Sequence, residues 1–586
     1  MPFDGIALYA AINEIKSQIL GHTINKIYQP KNDQLIISFR HGIEEKFLLV
    51  SANPNNCRIH LADNLPDNPS TPPMFCMLLR KNLLGGKLTN VNQLGLERVV
   101  EFTVQNKNEF MKQVEYKLLV EIMGKHSNII LVDNSTNRII DCIKRITSDV
   151  NRYRQILPNR QYVFPPIGEK CNFLLIDKKH ILSLILPAIK ANTQKNISSW
   201  ILENIMGLSG RTAKEIVKRA DVEDVQIGFI SNDKLYKVID ALADLREQVK
   251  ANSFFPTIYY EPKSLEPVDF WVFPMSLRDG YIAKISDSVN KAVDRYYFLK
   301  EQADALKSRN TSLTLQISKF IEKKSKNIYL IKTRLSETDE MNKYKLWGEI
   351  LSAYLYLIKP GVNKVKLANF YEPGHDIEIP LNKKMTPAQN AQHYFNKYKK
   401  LQSAKAIIKK RLKKMQQEME YLESVLVNAQ NCSTLDDIIE IQQELIEQGY
   451  LKKKKIKTPK KNTAQPLQFK SHDGFTIYVG KNNRQNDILT KRAKPEDIWL
   501  HTKNLPGSHV IIECHGKTIS DSTLEEAGCL AAYFSKARDG NKVPVDYTFA
   551  KNVRKPVGAK PGFVIYDNYK TIFVNPKCSQ TENLPF

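Results

Sequence analysis

The sequence lacks the long apolar run that a membrane span would need. No stretch of about 18 consecutive apolar residues occurs in the 586-residue chain. Asp4, Glu14 and Lys16 interrupt the segment from Met1 to Leu20, where a signal peptide would need an unbroken apolar core. We therefore expect no membrane partner and a cytoplasmic location.

Cysteine is sparse, and the familiar catalytic motifs are missing. The eight cysteines are scattered without a CxxC pair, which argues against a disulfide framework and against a zinc site, so we expect reduced thiols. No GxxxxGK[ST] phosphate loop, HExxH or GxSxG motif occurs. We therefore predict no catalytic residues, no metal and no cofactor, and we do not expect an enzyme.

Basic residues are in excess. The chain has 87 Lys and Arg against 62 Asp and Glu, a formal net charge of +25 and a pI near 9.4. Such an excess attracts polyanions at long range, so RNA, DNA and an anionic membrane all qualify by charge, and the membrane is the weak candidate because no long apolar run is present. The length is too great for one core, and about three to five domains are expected. The predicted fold class is multidomain α+β.

Residues 1–172 are predicted to form an N-terminal α+β domain. One helical segment is followed by short alternating segments bounded by Gly, Asn and Asp. In the segment LGLERVVEFTV, strand alternation places Arg98 on the same face as Val100, so its guanidinium needs an anion, either a protein carboxylate or a phosphate. The segment EIMGKHSN predicts a turn with backbone N–H groups beside Lys125 and His126.

Residues 173–285 are predicted to form a helical domain that ends in a return to strands. The segment IMGLSGRTAKEIVKRA has a Gly-containing turn between two helical runs. This pattern favours a helix-hairpin-helix element, in which backbone N–H groups around Gly207, Ser209 and Gly210 hold a phosphate. Two helices that simply pack through a Gly turn are the open alternative.

Residues 286–445 are predicted to form a long antiparallel coiled-coil hairpin with a tip subdomain at 341–385. Apolar residues recur at steps of four and three from Ala292 to Phe320 and again from Tyr394 to Leu426. No acid interrupts the cations between Lys397 and Lys414. We predict that this arm contacts RNA, although a solvated helix face is the alternative, and the predicted contacts are Lys405, Lys409, Lys410, Arg411, Lys413 and Lys414.

The C-terminal part is predicted to be a basic linker, 446–466, followed by an α+β RNA-binding domain, 467–577. Lysines crowd the linker, and Pro459 and Pro466 disfavour regular structure there. In the domain, cations alternate with aromatic residues, a combination that suits phosphates and bases. A solvated basic rim is the alternative, and the predicted contacts are Trp499, His501, Lys503, Lys551, Arg554, Lys555 and Lys560.

Several long motifs, in order, resemble the NFACT family. WLHTKNLPGSHV and VDYTFAKNVRKPVGAKPG resemble its C-terminal RNA-binding domain, and MPFDGIALYAAINEI, LGLERVV and EIMGKHSNIILVD resemble its N-terminal domain. YKLWGEILSAYLYLIKPG and PLNKKMTPAQNAQHYFNKYKKLQSAK resemble its coiled-coil segment. The likeness covers the full length of the chain, so we identify the sequence as a member of this family.

The resemblance implies a ribosome quality control factor. Such a factor binds large ribosomal subunits that still hold peptidyl-tRNA, through rRNA and the stalk-base region, and works with a small RNA-binding protein called RqcP. It recruits charged tRNA, here expected to be alanyl-tRNA, for template-free C-terminal alanine tailing, while the ribosome transfers the peptide. The family's tRNA-binding residues correspond to Glu97, which replaces the usual Asp, and to Arg98, Glu121, Ile122 and Met123.

Other functions remain open at this stage. The nearest alternative is a generic tRNA-binding or RNA-binding adaptor or chaperone without tailing activity. A MutM-like DNA glycosylase would use an N-terminal Pro2 amine, but Phe3 stands where such enzymes have an acid, and their zinc finger is missing. The family's older label, fibronectin-binding protein, points to an adhesin, yet neither a signal peptide nor a wall anchor is recognisable.

Overall fold

The structure is a computed structural model that describes residues 3–577 except 167, 192, 263, 373 and 453–464. Pro2 and most of the predicted basic linker lie outside the described residues. The chain divides after Asp304 into two compact units, which are treated separately below. The mixed α+β multidomain prediction is confirmed, whereas the finer domain boundaries stay predictions. In the described part of the chain, no helix is both long and apolar enough to cross a membrane.

The first unit is built on a nine-stranded antiparallel sheet with the order β4-β3-β2-β1-β5-β6-β7-β8-β9. Helix α1, Gly5–Ile19, packs its buried apolar residues against this sheet, and α2 spans Met74–Leu83. Neighbouring strands follow one another along the chain, apart from the β1–β5 pairing. Strands β1 to β9 are Thr23–Lys31, Gln34–His41, Glu44–Ser51, Arg58–Leu61, Lys87–Gln93, Val99–Lys107, Gln113–Glu121, Asn128–Asp133 and Arg138–Cys142.

Helices dominate the next part of this unit. Two short strands, β10 (Cys171–Asn172) and β11 (Ile205–Met206), pair in parallel next to a turn that contains Gly207. The helices are α3 (Lys178–Lys190), α4 (Ile197–Asn204), α5 (Gly210–Arg219) and α6 (Asn232–Lys250). The predicted return to strands is present as an antiparallel sheet of β12 (Thr257–Tyr260), β13 (Pro267–Trp271) and β14 (Ile282–Ile285).

A 49-residue helix, α7, spans Val289–Glu337 and contains the division between the units. Its first turn is capped by Glu14 of α1. The Glu14 carboxylate accepts hydrogen bonds from the backbone N–H groups of Val289 (2.7 Å) and Asn290 (3.0 Å) and from the Ser288 hydroxyl (2.7 Å). Because the first N–H groups of a helix have no partner within it, this carboxylate ties the start of α7 to the core of the first unit.

In the second unit, α7 continues into an antiparallel helical arm. After α8 (Met341–Ala353) and the hairpin of β15 (Lys364–Ala368) and β16 (Asp376–Pro380), α9 (Pro387–Gln430) returns, and α10 (Leu435–Glu447) follows. Lys324 of α7 pairs with Glu418 of α9, and Asp339, two residues after the end of α7, pairs with Lys405 of α9. Later positions on the outgoing chain thus pair with earlier positions on α9. The helices are therefore antiparallel. Residues of the predicted apolar stripes are buried or half-buried, such as Leu313 and Leu422.

The rest of the second unit is an α+β domain with a six-stranded antiparallel sheet of order β17-β18-β20-β19-β21-β24. Helix α12 (Asp521–Tyr533) covers one face of the sheet, and α11 (Asn483–Arg492) follows β18. Cys529 is disulfide-bonded, so the expectation that every thiol is reduced was wrong. Strands β17 to β24 are Leu467–Lys470, Thr476–Val479, Ile498–Thr502, Val510–Ile512, Val543–Phe549, Val553–Arg554, Ile565–Tyr566 and Lys570–Val574.

The Glu14 cap leads to a test of stability. Replacing Glu14 by Ala removes the acceptor for the N–H groups in the first turn of α7. We expect the free energy of unfolding to fall by about 1–3 kcal/mol, the usual cost of leaving such donors without a partner. Hydrogen–deuterium exchange would show the effect as faster exchange at residues 289–292. Glu266→Ala, which removes an exposed carboxylate in the same unit, is the control. Equal protection in both variants would contradict the role given to Glu14.

Candidate nucleic-acid interface

The first predicted motif lies in a turn between β5 and β6. The Glu97 N–H donates to the Leu94 carbonyl at 2.9 Å, and β6 begins only at Val99. The prediction that Arg98 lies within the strand was therefore wrong, because the tight turn extends to the residue before Val99. The side chains of Glu97 and Arg98 are both half-buried. The turn presents them together at one end of the sheet.

The second predicted motif lies beside the first. The β6–β7 register pairs Val99 with Glu121, and the Ile122 N–H donates to the Arg98 carbonyl at 2.8 Å. After Ile122 the chain forms a turn with Gly124 at φ +61°. The Met123 N–H donates to the Ser127 hydroxyl at 2.8 Å, which closes this turn. Two motifs that lie far apart in sequence therefore meet at one end of the sheet.

Not every residue of the second motif faces solvent. Lys125 and His126 are exposed, and Met123 is half-buried. The side chains of Glu121 and Ile122 are buried, which is a correction to their predicted contact with tRNA. A direct contact with a ligand is not open to either side chain in this structure.

A buried network holds the Glu121 carboxylate. Arg154 makes a bidentate ion pair with it, and the Tyr162 hydroxyl donates to it at 2.8 Å. Burial, and next the charge of Glu121, raises the pKa of Tyr162 well above its usual range, so the hydroxyl stays a donor. A buried carboxylate needs such partners. Glu121 therefore supports the turn at Ile122–His126 rather than lining its surface.

The predicted phosphate-binding residues line a cleft with the first motif. The cleft has a volume of about 320 Å³, and Glu97, Arg98, Gly207, Ser209 and Gly210 all contribute to its wall. The Ser209 hydroxyl caps α5 by accepting from the Thr212 N–H at 3.2 Å. The first motif and the Gly207 turn thus share one surface. Sequence reasoning missed other lining residues, which are Asp4, Gly5, Leu96, Lys170, Leu202, Met206 and Leu208.

The cleft exists because three segments approach closely. A Cβ on Gly5 would lie 2.2 Å from the Leu96 carbonyl oxygen and 2.6 Å from the Gly207 Cα, so only glycine fits there. Asp4 caps α1 by accepting from the Ala7 N–H at 3.0 Å. Its second oxygen accepts from the Thr212 hydroxyl at the start of α5. One carboxylate therefore links the beginnings of α1 and α5.

The chemistry of this surface suits an anion. Arg98 and Lys170 line the cleft, Lys125 and His126 lie exposed in the adjacent turn, and α5 begins at the cleft wall. Cations and a helix N-terminus favour phosphate groups. Of the two acids in the wall, Asp4 already accepts from Ala7 and Thr212, whereas Glu97 could accept hydrogen bonds from a hydroxyl or a base edge. The arrangement can hold a phosphate backbone and orient a polar group beside it.

The arm in the second unit carries a largely exposed basic run. Lys409, Lys410, Arg411, Lys413 and Lys414 are exposed, and among the described residues none of these five is ion-paired. The sixth predicted contact differs. Lys405 is half-buried, and its ammonium lies 2.6 Å from the Asp339 carboxylate. The sequence shows that no acid lies within the run, but it could not show that Lys405 is paired with an acid from a distant segment, the one just after α7.

In the C-terminal domain, one predicted aromatic contact, Trp499, lies in the interior and the other, His501, is half-buried. Trp499 is fully buried, and the ring of Tyr566 lies 4.8 Å from it. His501 is half-buried beside His509. Burial lowers the pKa of His501 to about 4 and that of His509 to about 3, so both are neutral at neutral pH. Trp499 therefore packs inside the domain, which corrects its predicted contact with RNA. A contact between the half-buried His501 and RNA stays a prediction.

The predicted cations of this domain occupy different settings. Lys551, Arg554 and Lys555 are exposed, although Lys555 pairs with Asp487 and Arg554 lies 3.4 Å from Asp567. Lys503 is half-buried, 3.6 Å from the Asp546 carboxylate and 5.0 Å from the Tyr569 ring centre. All four lie in the segments around β19, β21 and β22, the basic part of the domain.

Lys560 has a structural role that the sequence did not reveal. Its ammonium donates to the Gln448 side chain at 2.7 Å and lies 5.4 Å from the centre of the Tyr421 ring. These two contacts hold the loop that contains Lys560 against α9 and the end of α10. They compete with the predicted contact between Lys560 and RNA.

Comparisons with known proteins agree with the motifs. Residues 4–464 match the model for NFACT N-terminal and middle domains, and residues 465–567 match the model for the NFACT protein RNA binding domain. The Rqc2 homolog RqcH of Bacillus subtilis is 38% identical over 98% of this chain and 98% of its own length.

Two other relatives are more distant. The human ribosome quality control complex subunit NEMF is 23% identical over 62% of this chain and 34% of its own. The N-terminal structure of the fibronectin/fibrinogen-binding protein from Streptococcus suis has 27% identity and a TM-score of 0.42, and it covers 50% of this chain and 98% of its own. The family models and the full-length likeness to RqcH show that the chain belongs to the NFACT family of Rqc2 homologs.

Proposed function

We propose that the chain is a ribosome quality control factor of the RqcH type. It binds large ribosomal subunits that hold peptidyl-tRNA and recruits charged tRNA, expected to be alanyl-tRNA, for template-free alanine tailing. The observation that carries the proposal is the cleft that joins Arg98, the Gly207 turn and, at the same end of the sheet, the turn at Ile122–His126. The likeness to RqcH over almost the whole chain supports it.

The cleft is proposed to hold tRNA. A guanidinium such as that of Arg98 can make two parallel hydrogen bonds to one phosphate, which gives direction as well as charge. Exposed Lys125 and His126 lie on the same approach and add contacts to the backbone of the nucleic acid. Glu97 is longer than the usual family Asp by one methylene, so the acid is retained but the reach of its carboxylate changes.

The arm and the C-terminal domain are proposed to hold the large subunit. The exposed cations from Lys409 to Lys414 lie along α9, and such a row suits the regularly spaced phosphates of rRNA. The residues that match the RNA binding domain contain Lys551, Arg554 and Lys555. The ribosomal stalk base and the small protein RqcP are the expected neighbours.

The chain is proposed to position its partners, and the ribosome is proposed to transfer the peptide. The polar side chains of the cleft are two carboxylates, two cations and the capping hydroxyl of Ser209, and the roles proposed for them are structural or ligand-binding. A generic RNA-binding adaptor would share these contacts with RNA but would not promote alanine tailing of the nascent chain. Tail synthesis is therefore the property that separates the two functions.

The first test concerns the tRNA site. Arg98→Lys keeps the charge but removes the bidentate geometry, so we expect it to lose most tRNA recruitment. Glu97→Asp should be tolerated, whereas Glu97→Ala should not, because only the first keeps a carboxylate. The measurements are alanine tails on a stalled reporter and the amount of tRNA that copurifies. Binding to the large subunit should survive all three changes and serves as the internal control.

The second test concerns the arm. Reversing Lys409, Lys410, Lys413 and Lys414 to Glu should weaken cosedimentation with the large subunit. It should also flatten the dependence of log affinity on log salt by roughly one unit for each lost phosphate contact. The matched control reverses four exposed lysines of the first unit, which are Lys179, Lys190, Lys234 and Lys250.

The control separates local contacts from net charge, because both variants change the charge equally. An arm variant that binds the subunit as the wild type does, or a control that loses as much affinity as the arm variant, would contradict the proposed role of the arm.

A further inference from the structure

A closed loop, Thr147–Gln155, lies next to the proposed tRNA site, and none of its residues belongs to the proposed tRNA contacts. Its ends are joined by two backbone hydrogen bonds, from the Ile146 N–H to the Ile156 carbonyl (3.0 Å) and from the Ile156 N–H to the Ile146 carbonyl (2.9 Å). Within it, the Thr147 carbonyl accepts from the Asn151 N–H at 3.0 Å. The loop is therefore an ordered turn.

Two side chains attach this loop to the turn at Ile122–His126. Arg154, at the end of the loop, makes the buried ion pair with Glu121, the residue just before Ile122. On the other side, Asn128 just after the turn donates to the Lys144 carbonyl at 2.8 Å and accepts from the Lys144 N–H at 3.1 Å. The end of the loop at Arg154 and the chain that leads into it at Lys144 are thus fixed on either side of the same turn.

The loop exposes a side chain that packing does not explain. Tyr153 is 71% exposed although its neighbour Arg154 is buried, and Val150 is 75% exposed. The Asn151 side chain accepts hydrogen bonds from the N–H groups of Tyr153 (3.0 Å) and Arg154 (3.1 Å). These bonds fix the backbone at the point where the Tyr153 side chain is exposed and the Arg154 side chain is buried. An exposed aromatic ring on a fixed backbone loses little freedom when it stacks on a partner.

The charges around the loop favour an anionic partner. Arg152 is exposed beside Tyr153, and Lys125 and His126 are exposed in the attached turn. Arg145 is exposed but ion-paired with Asp141, and Asp149 is the exposed acid within the loop. Cations next to an open aromatic ring are the combination by which proteins bind unpaired nucleotides.

We infer that the loop is a second RNA-contacting element, in which Tyr153 stacks on an unpaired nucleobase while Arg152 binds the adjoining phosphate. The inference rests on the proposed function, because the ligand is the tRNA held at the adjacent cleft. The loop is fixed to the site by Glu121 and Arg154, so Glu121 acts on RNA through the position of this loop. An unpaired loop of tRNA offers the bases that stacking requires.

The experiment compares full-length variants for affinity to end-labelled unfractionated tRNA. Tyr153→Ala and Arg152→Ala should each weaken binding by about tenfold, in the range of one lost stacked base or phosphate contact. Tyr153→Phe keeps the ring and should bind as the wild type does. Phe110→Ala is the matched control, because Phe110 is 82% exposed in the turn at the opposite end of β6 and β7.

Ultraviolet crosslinking to the same tRNA supplies a second measurement. We expect a peptide that contains Tyr153 to carry a crosslinked nucleotide, and we expect the Arg98→Lys variant to lose that crosslink together with tRNA binding. Unchanged thermal unfolding of Tyr153→Ala would show that its effect is local.

The outcomes separate the inference from the proposed function. If Tyr153→Ala binds tRNA normally while Arg98→Lys does not, the loop inference is wrong and the proposed function stands. If both bind normally, both are wrong. If Tyr153→Ala loses the large subunit but keeps tRNA, the loop contacts the ribosome, and the inference is overturned.

Discussion

The approach of Gly5 to Leu96 and Gly207 is the constraint on which the candidate site depends. It brings the start of α1, the turn before β6 and the start of α5 within contact distance, and no side chain larger than hydrogen fits at Gly5. Asp4 fixes the same junction, because its two oxygens serve α1 and Thr212 at once. The cleft is therefore a consequence of backbone packing, and its anion-binding groups are held by rigid elements.

A second buried carboxylate organises the other half of the site. The buried Glu121 carboxylate is stabilised by the Arg154 guanidinium and the Tyr162 hydroxyl. If Arg154 were removed, the carboxylate would be left as a buried charge without a counter-ion. The same pair determines where the exposed turn at Ile122–His126 lies relative to the loop at Thr147–Gln155. Buried ionic groups here specify the position of surface residues, which is a different task from contacting a ligand.

Much of this organisation could be predicted from the sequence, but the site only in part. The spacing of apolar residues in a helix depends only on near neighbours in sequence. It therefore predicted the two long helices and the buried apolar stripes that contain Leu313 and Leu422. The alternation of apolar and polar residues could not show that β6 starts after Arg98. A polar residue just before an apolar run has the same pattern whether it belongs to the strand or to the preceding turn. The roles of Gly5 and Asp4 depend on contacts with segments far away in sequence. Trp499 suggested an RNA contact by residue type, whereas its place in the sheet and the ring of Tyr566 bury it.

The measurement that tests the central claim most directly is sequencing of the RNA that copurifies with the wild-type chain. The account predicts rRNA of the large subunit together with one strongly enriched tRNA species, because the arm and the cleft are proposed to hold different RNAs. Large-subunit rRNA without tRNA would contradict the function given to the cleft. A mixture that mirrors the total RNA of the cell would contradict the account as a whole.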